Sequence, residues 1–105
     1  DFKRRVLTAD KPVLLAFWSP SDEKSIDFIE ILEKDIVPKC DGVNLVKIDY
    51  SRKKGIARKY DIIETPALLL LDQGQVIKKF LAAELGAEIW KELLSNLLGG
   101  KEDAK

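Results

Sequence analysis

Apolar and polar positions along this chain fall into blocks whose periods predict helix, strand, helix, strand, helix, hairpin and a last helix. Within the first nine residues Phe2, Val6 and Leu7 recur at helical spacing, until Asp10-Lys11-Pro12 interrupts them. Val13-Leu14-Leu15-Ala16-Phe17-Trp18 follows as an unbroken apolar run just after a proline. A run without polar alternation predicts a central strand, because both of its faces must be covered.

Ser19-Pro20-Ser21 opens a longer helical stretch, with Ser21 as the expected N-cap and Asp22 and Glu23 near the positive end of the helix dipole. Phe28, Ile29, Leu32 and Ile36 supply the core stripe, and Pro38 with Asp41-Gly42 is expected to close the helix. Val43 to Ile48 reads as a second strand. Arg52 to Tyr60 reads as a short surface helix that turns Ile56, Ala57 and Tyr60 to one side.

After Glu64-Thr65-Pro66 the order changes. Ala67 to Leu71 is a strand, Asp72-Gln73-Gly74-Gln75 a tight turn in which Gly74 serves only the turn, and Val76 to Phe80 an antiparallel partner. Gly86 leads into an amphipathic helix with Ile89, Trp90, Leu93, Leu94, Leu97 and Leu98 apolar, ended by Gly99-Gly100. A single domain over residues 1–100 with a frayed tail at 101–105 is the expected organisation.

Composition narrows the chemistry. The 18 basic and 18 acidic residues cancel, which removes the electrostatic footprint expected of a nucleic-acid or acidic-membrane binder. Arg52-Lys53-Lys54 with Arg58 and Lys59 therefore reads as a solvated helix face. No apolar run approaches the roughly 20 residues of a membrane helix. With no His and one Cys, a structural zinc site, a His-dependent triad and an internal disulfide are excluded, and neither a metal nor a cofactor is expected. The start, Asp1-Phe2-Lys3-Arg4-Arg5, has no initiator Met and no signal-peptide core, so the compartment stays open, with the cytoplasm as the default.

Several short motifs carry a family resemblance. Lys11 to Trp18 resembles the central strand of the thioredoxin family running into its active-site tryptophan. Tyr60-Asp61-Ile62-Ile63-Glu64-Thr65-Pro66-Ala67 resembles that family's approach to its cis-proline, and Leu68 to Gly74 the strand and glycine turn beyond it. The resemblance implies a thioredoxin fold: α/β, three layers, helices on both sides of a mixed central sheet, here without the family's usual first strand. That strand should precede Phe2, and either the sequence is trimmed ahead of it or the domain lacks that edge. The resemblance also implies a cis Thr65–Pro66 bond and a peptide groove formed by Trp18, Thr65 and Pro66.

The active-site motif departs from the family. Where the resemblance places Cys-X-X-Cys, this chain has Asp22-Glu23-Lys24-Ser25, and the buried acid of the central strand is replaced by Ala16. Thiol–disulfide exchange needs an attacking thiolate and a resolving thiol, and neither a carboxylate nor a hydroxyl substitutes for them. Cys40 falls near a helix C-terminus, where the dipole disfavours a thiolate, so it reads as structural or incidental. No residue is assigned a catalytic role.

Bland readings stand beside the sharper ones. Asp22 and Glu23 are explained by helix-start electrostatics without any further role. Trp18 is either a recognition residue or an aromatic that ends a buried strand. Phe17-Trp18-Ser19 and the degenerate motif are also similar to the thioredoxin-like domain of chaperedoxins. The expected function is a redox-inactive domain that binds protein or unfolded polypeptide, with no nucleic-acid or membrane partner and an open oligomeric state. A thiol–disulfide oxidoreductase in cell redox homeostasis and a structural domain with one dedicated partner are the alternatives.

Overall fold

A computed structural model describes residues 2–39, 42–81 and 92. Helix α1 (Lys3–Leu7) is wound as a single π-type turn, closed by the Thr8 N–H on the Lys3 carbonyl at 2.9 Å. Strand β1 (Val13–Trp18) leads to helix α2 (Glu23–Ile31), which continues through a π-type turn, Leu32–Ile36, and a 3-10 turn, Val37–Lys39. Strand β2 (Asn44–Asp49), helix α3 (Lys54–Lys59) and strands β3 (Ala67–Asp72) and β4 (Gln75–Phe80) complete the described order. The expected terminal helix, with Trp90 and its leucines, lies outside the described residues, as do Cys40 and the tail at 101–105.

Among the described residues the sheet has four strands in the order β2-β1-β3-β4. β1 runs parallel to β2 and antiparallel to β3, and β3 pairs antiparallel with β4, with an irregularity at Leu70/Leu71. The unbroken apolar run thus occupies an inner strand, as its composition requires.

Because side chains alternate along a strand, β1 feeds two cores. Leu14 and Ala16 join Leu68 and Leu70 beneath Phe28, Ile29, Leu32 and Ile36 of α2. Val13, Leu15 and Phe17 join Val46, Ile48, Leu69 and Leu71 on the opposite face, covered by Val6 of α1 and Ala57 of α3. This is the three-layer α/β arrangement anticipated from the apolar blocks. It places the C-terminal end of β1, the start of α2 and the entry to β3 at one end of the sheet.

The short first helix expected before Asp10 keeps helical dihedrals from Phe2 to Leu7 and ends where Thr8 leaves them (φ −119°, ψ 24°). The turns that continue α2 carry its winding one residue past Pro38, to Lys39, and Gly42 beyond them has positive φ, in keeping with a helix closed by Pro38 and Asp41-Gly42. The reading of Gly74 needs correction, because this residue does more than serve the turn. With Gln73 at φ 56° and Gly74 at φ 82° it forms the doubly left-handed pair that suits a two-residue hairpin. In addition, a Cβ on Gly74 would come within 2.8 Å of the Leu7 carbonyl oxygen, so the hairpin packs tightly onto the end of α1.

Side chains fasten α3 in place. Lys79 of β4 donates to the Tyr60 and Asp61 carbonyls at 3.3 and 3.2 Å, satisfying acceptors just beyond the C-terminus of α3. Lys59, read as part of a solvated face, also holds its ammonium 5.9 Å from the Phe2 ring centroid and 5.7 Å from that of Tyr60.

Candidate functional site

The site begins where β1 ends. Trp18 is half-buried, packs against the core beneath α2, and accepts the Tyr50 N–H on its carbonyl at 2.8 Å. It closes the strand and keeps some surface. A tight turn follows, with the Asp22 N–H donating to the Ser19 carbonyl at 3.1 Å.

Asp22, not Ser21, caps α2. Its backbone is extended (φ −118°, ψ 114°), as an N-cap requires, and its Oδ1 accepts the Lys24 N–H at 3.2 Å. The Ser21 hydroxyl is engaged elsewhere, 3.1 Å from that of Ser19. Glu23 occupies the first turn, where a negative charge complements the helix dipole.

The second carboxylate oxygen of Asp22 points into the site. Oδ2 accepts the Ser25 hydroxyl at 3.0 Å, and the Thr65 hydroxyl reaches the same atom at 3.5 Å. Ser25 is fully buried, so the carboxylate supplies a partner that its hydroxyl would otherwise lack. One side chain thereby joins the cap, the first turn of α2 and the loop before β3.

Of the residues singled out in the sequence, Asp22, Ser25 and Thr65 converge through hydrogen bonds. Trp18 stands at the strand end leading into that cluster, and Pro66 is buried behind Thr65 with their peptide bond cis. The side chains of Glu23 and Lys24 are exposed, and Lys24 enters only through its backbone amide.

Two exposed apolar residues that the sequence pattern did not single out lie near the cluster in sequence. Ile26 is 39% exposed on the first turns of α2, and Ile63 is 82% exposed two residues before Thr65. Ile26 falls off the Phe28–Ile29–Leu32–Ile36 stripe, a signal present in the spacing. Ile63 differs from its buried neighbour Ile62 only in orientation, which the sequence does not encode locally.

Chemically, the cluster offers a carboxylate and two hydroxyls. Ala16, in the central strand, is fully buried on the α2 side and has no group to accept a proton. Among the described residues no group of three Cys, Asp or Glu side chains is arranged to hold a metal ion. No helix among them is long and apolar enough to cross a membrane.

Comparison with known proteins agrees with this architecture. The thioredoxin family profile matches residues 1–95. A thioredoxin of Mycobacterium bovis is 27% identical over 92 residues, covering 88% of this chain and 79% of its own. Thioredoxin C-2 of Corynebacterium nephridii is 32% identical over 87 residues, covering 83% and 77%. Among solved structures, a single-site mutant of a thioredoxin from Halobacterium salinarum superposes with a TM-score of 0.64 at 18% identity, over 90% of this chain and 80% of that one. With nearly its whole length matched by the family profile and its sheet, helices and cis-proline loop in the corresponding order, the chain belongs to the thioredoxin family.

Proposed function

We propose that this domain holds extended polypeptide in a chaperone-like manner, at the groove between Trp18, the start of α2 and the Thr65-Pro66 loop, without thiol–disulfide chemistry. The observation that carries the reading is the Asp22 carboxylate, hydrogen-bonded to Ser25 and Thr65 at the place where the family resemblance puts the redox pair. The groove's two walls are tied together by oxygen chemistry. The chain's one cysteine, Cys40, lies in sequence between α2 and β2, away from both motif positions. Disulfide exchange with a resolving step needs two thiols. Backbone recognition of an extended chain needs none.

A second reading follows from the relatives' names. Proteins called thioredoxin match this chain at 27% and 32% identity, which favours a thiol–disulfide oxidoreductase in cell redox homeostasis. Titrating the 105-residue chain with a reduced, alkylated unfolded polypeptide while following amide NMR shifts, beside an insulin-reduction assay, separates the two. The proposal expects saturable shifts at Trp18, Ser21 to Ser25 and Thr65, with reduction at background. Turnover above background supports the oxidoreductase instead. No shifts at those amides, with reduction at background, leave a structural domain that binds a dedicated partner through another face.

A further inference from the structure

Helix α3 carries Lys54 and Arg58 four residues apart, which sets both cations on one face of the helix. They line a cleft of about 220 Å³ together with Tyr50, Ala57, Ile62 and Ile63. Ala57 and Ile62 are buried and give the cleft an apolar floor, whereas Ile63 is exposed. The volume is below the roughly 300 Å³ at which small-molecule sites begin, so it suits a single side chain.

The walls are set in advance. The Ile62 N–H donates to the Ala57 carbonyl at 2.8 Å and the Asp61 N–H to that of Arg58 at 3.1 Å, which fixes the loop after α3 against its helix. Charge around the cleft is one-sided. Among the described residues Lys54 and Arg58 have no salt-bridge partner, and the exposed Asp61 and Glu64 of the same loop do not line it.

The cleft also adjoins the groove. Tyr50 donates its N–H to the Trp18 carbonyl at 2.8 Å, and Ile63 precedes Thr65 by two residues, a stretch of at most about 7 Å. An extended chain passing Trp18 and Thr65 thus comes within reach of both cations.

We propose that this cleft selects the polypeptide held in the groove, taking an apolar side chain whose neighbours in sequence are acidic, with Lys54 and Arg58 as the specificity-determining residues. The apolar side chain leaves water against Ala57 and Ile62, and the flanking carboxylates meet two cations that nothing else neutralises. A basic segment meets like charge and is turned away. The inference rests on the polypeptide-binding reading and adds to it the chemistry of the bound segment.

The test adds two blocked octapeptides to the 105-residue chain under NMR observation, each with a central Leu that is flanked on both sides by Glu in one and by Lys in the other. The acidic peptide should give saturable shifts at the Ala57, Ile62 and Ile63 amides together with those of Trp18 and Thr65. It should bind at least about tenfold more tightly than the basic one. Replacing its central Leu by Ser should weaken it by about tenfold. The double variant Lys54→Glu with Arg58→Glu alters exposed side chains and should reverse the preference for charge. Equal binding of the two peptides, a preference that the double variant leaves in place, or silent Ala57 and Ile62 amides while Trp18 and Thr65 respond overturns the role of the cleft and leaves polypeptide binding standing. Silence at all of these amides, with the reduced, alkylated unfolded polypeptide as well as with both octapeptides, overturns both.

Discussion

Asp22 and Ser25 are joined through carboxylate and hydroxyl at 3.0 Å, across the first turn of the helix that follows the central strand. The bond turns a helix-start acid into the organiser of the site. One oxygen caps the helix, and the other satisfies a fully buried hydroxyl. The electrostatic account of Asp22 as a first-turn acid is thereby incomplete.

Asp22→Ala removes the cap and leaves the Ser25 hydroxyl buried without its acceptor, so stability should fall by about 2–3 kcal/mol. Asp22→Asn keeps an oxygen for the cap and should cost less. Urea denaturation of the three proteins measures the order, and a fall under about 0.5 kcal/mol for the alanine variant contradicts this role.

Asp22→Cys combined with Ser25→Cys places two thiols where side-chain oxygens already meet. The pair should close to an intramolecular disulfide, detectable by mass spectrometry before and after reduction, with Cys40 alkylated as a control. Reductase turnover should stay weak, since Ala16 offers no proton acceptor in the central strand. A pair that refuses to close argues against the correspondence with the family motif.

Gly74 and Gly42 both have positive φ, at 82° and 83°, but only Gly74 faces an obstacle where a Cβ would stand. Gly42→Ala should cost about 1 kcal/mol, the conformational penalty alone. Gly74→Ala should cost more, about 2–3 kcal/mol, because the added carbon meets a backbone oxygen. Equal losses in thermal or urea unfolding would show that the Leu7 carbonyl yields freely.

Tyr60 packs beside Phe2, and burial raises its hydroxyl pKa above the ordinary value of 10.0. The folded state then holds the phenolic proton more tightly than the unfolded state. Stability from this group is complete below pH about 10 and declines as pH rises through the folded pKa. Tyr60→Phe should show a shallower alkaline decline in urea midpoints measured between pH 8 and 11, roughly the window that brackets the tyrosine titration.

Much of the sheet was legible because burial on both faces leaves a signature in the residues themselves. β1 and β3 were anticipated to within one residue from apolar runs, and the hairpin turn from Asp72-Gln73-Gly74-Gln75. The winding of α2 was not, since Leu32 to Ile36 keep the same apolar spacing whether the backbone closes α- or π-type turns. The Asp22–Thr65 contact spans 43 residues, and the approach of Gly74 to Leu7 joins distant segments. Local periodicity carries no information on either. Ser21 and Asp22 are both good caps by type, and only the Ser19–Ser21 hydroxyl pair shows which one is free to serve.

The seating of Gly74 on Leu7 also bears on how this domain can be engineered. A two-residue hairpin turn is ordinarily a convenient place to graft an epitope, insert a loop or cut for circular permutation, because its tip faces solvent. Here the tip is the lid on the end of α1. An insertion between Gln73 and Gly74 would lift that lid and loosen the first helix.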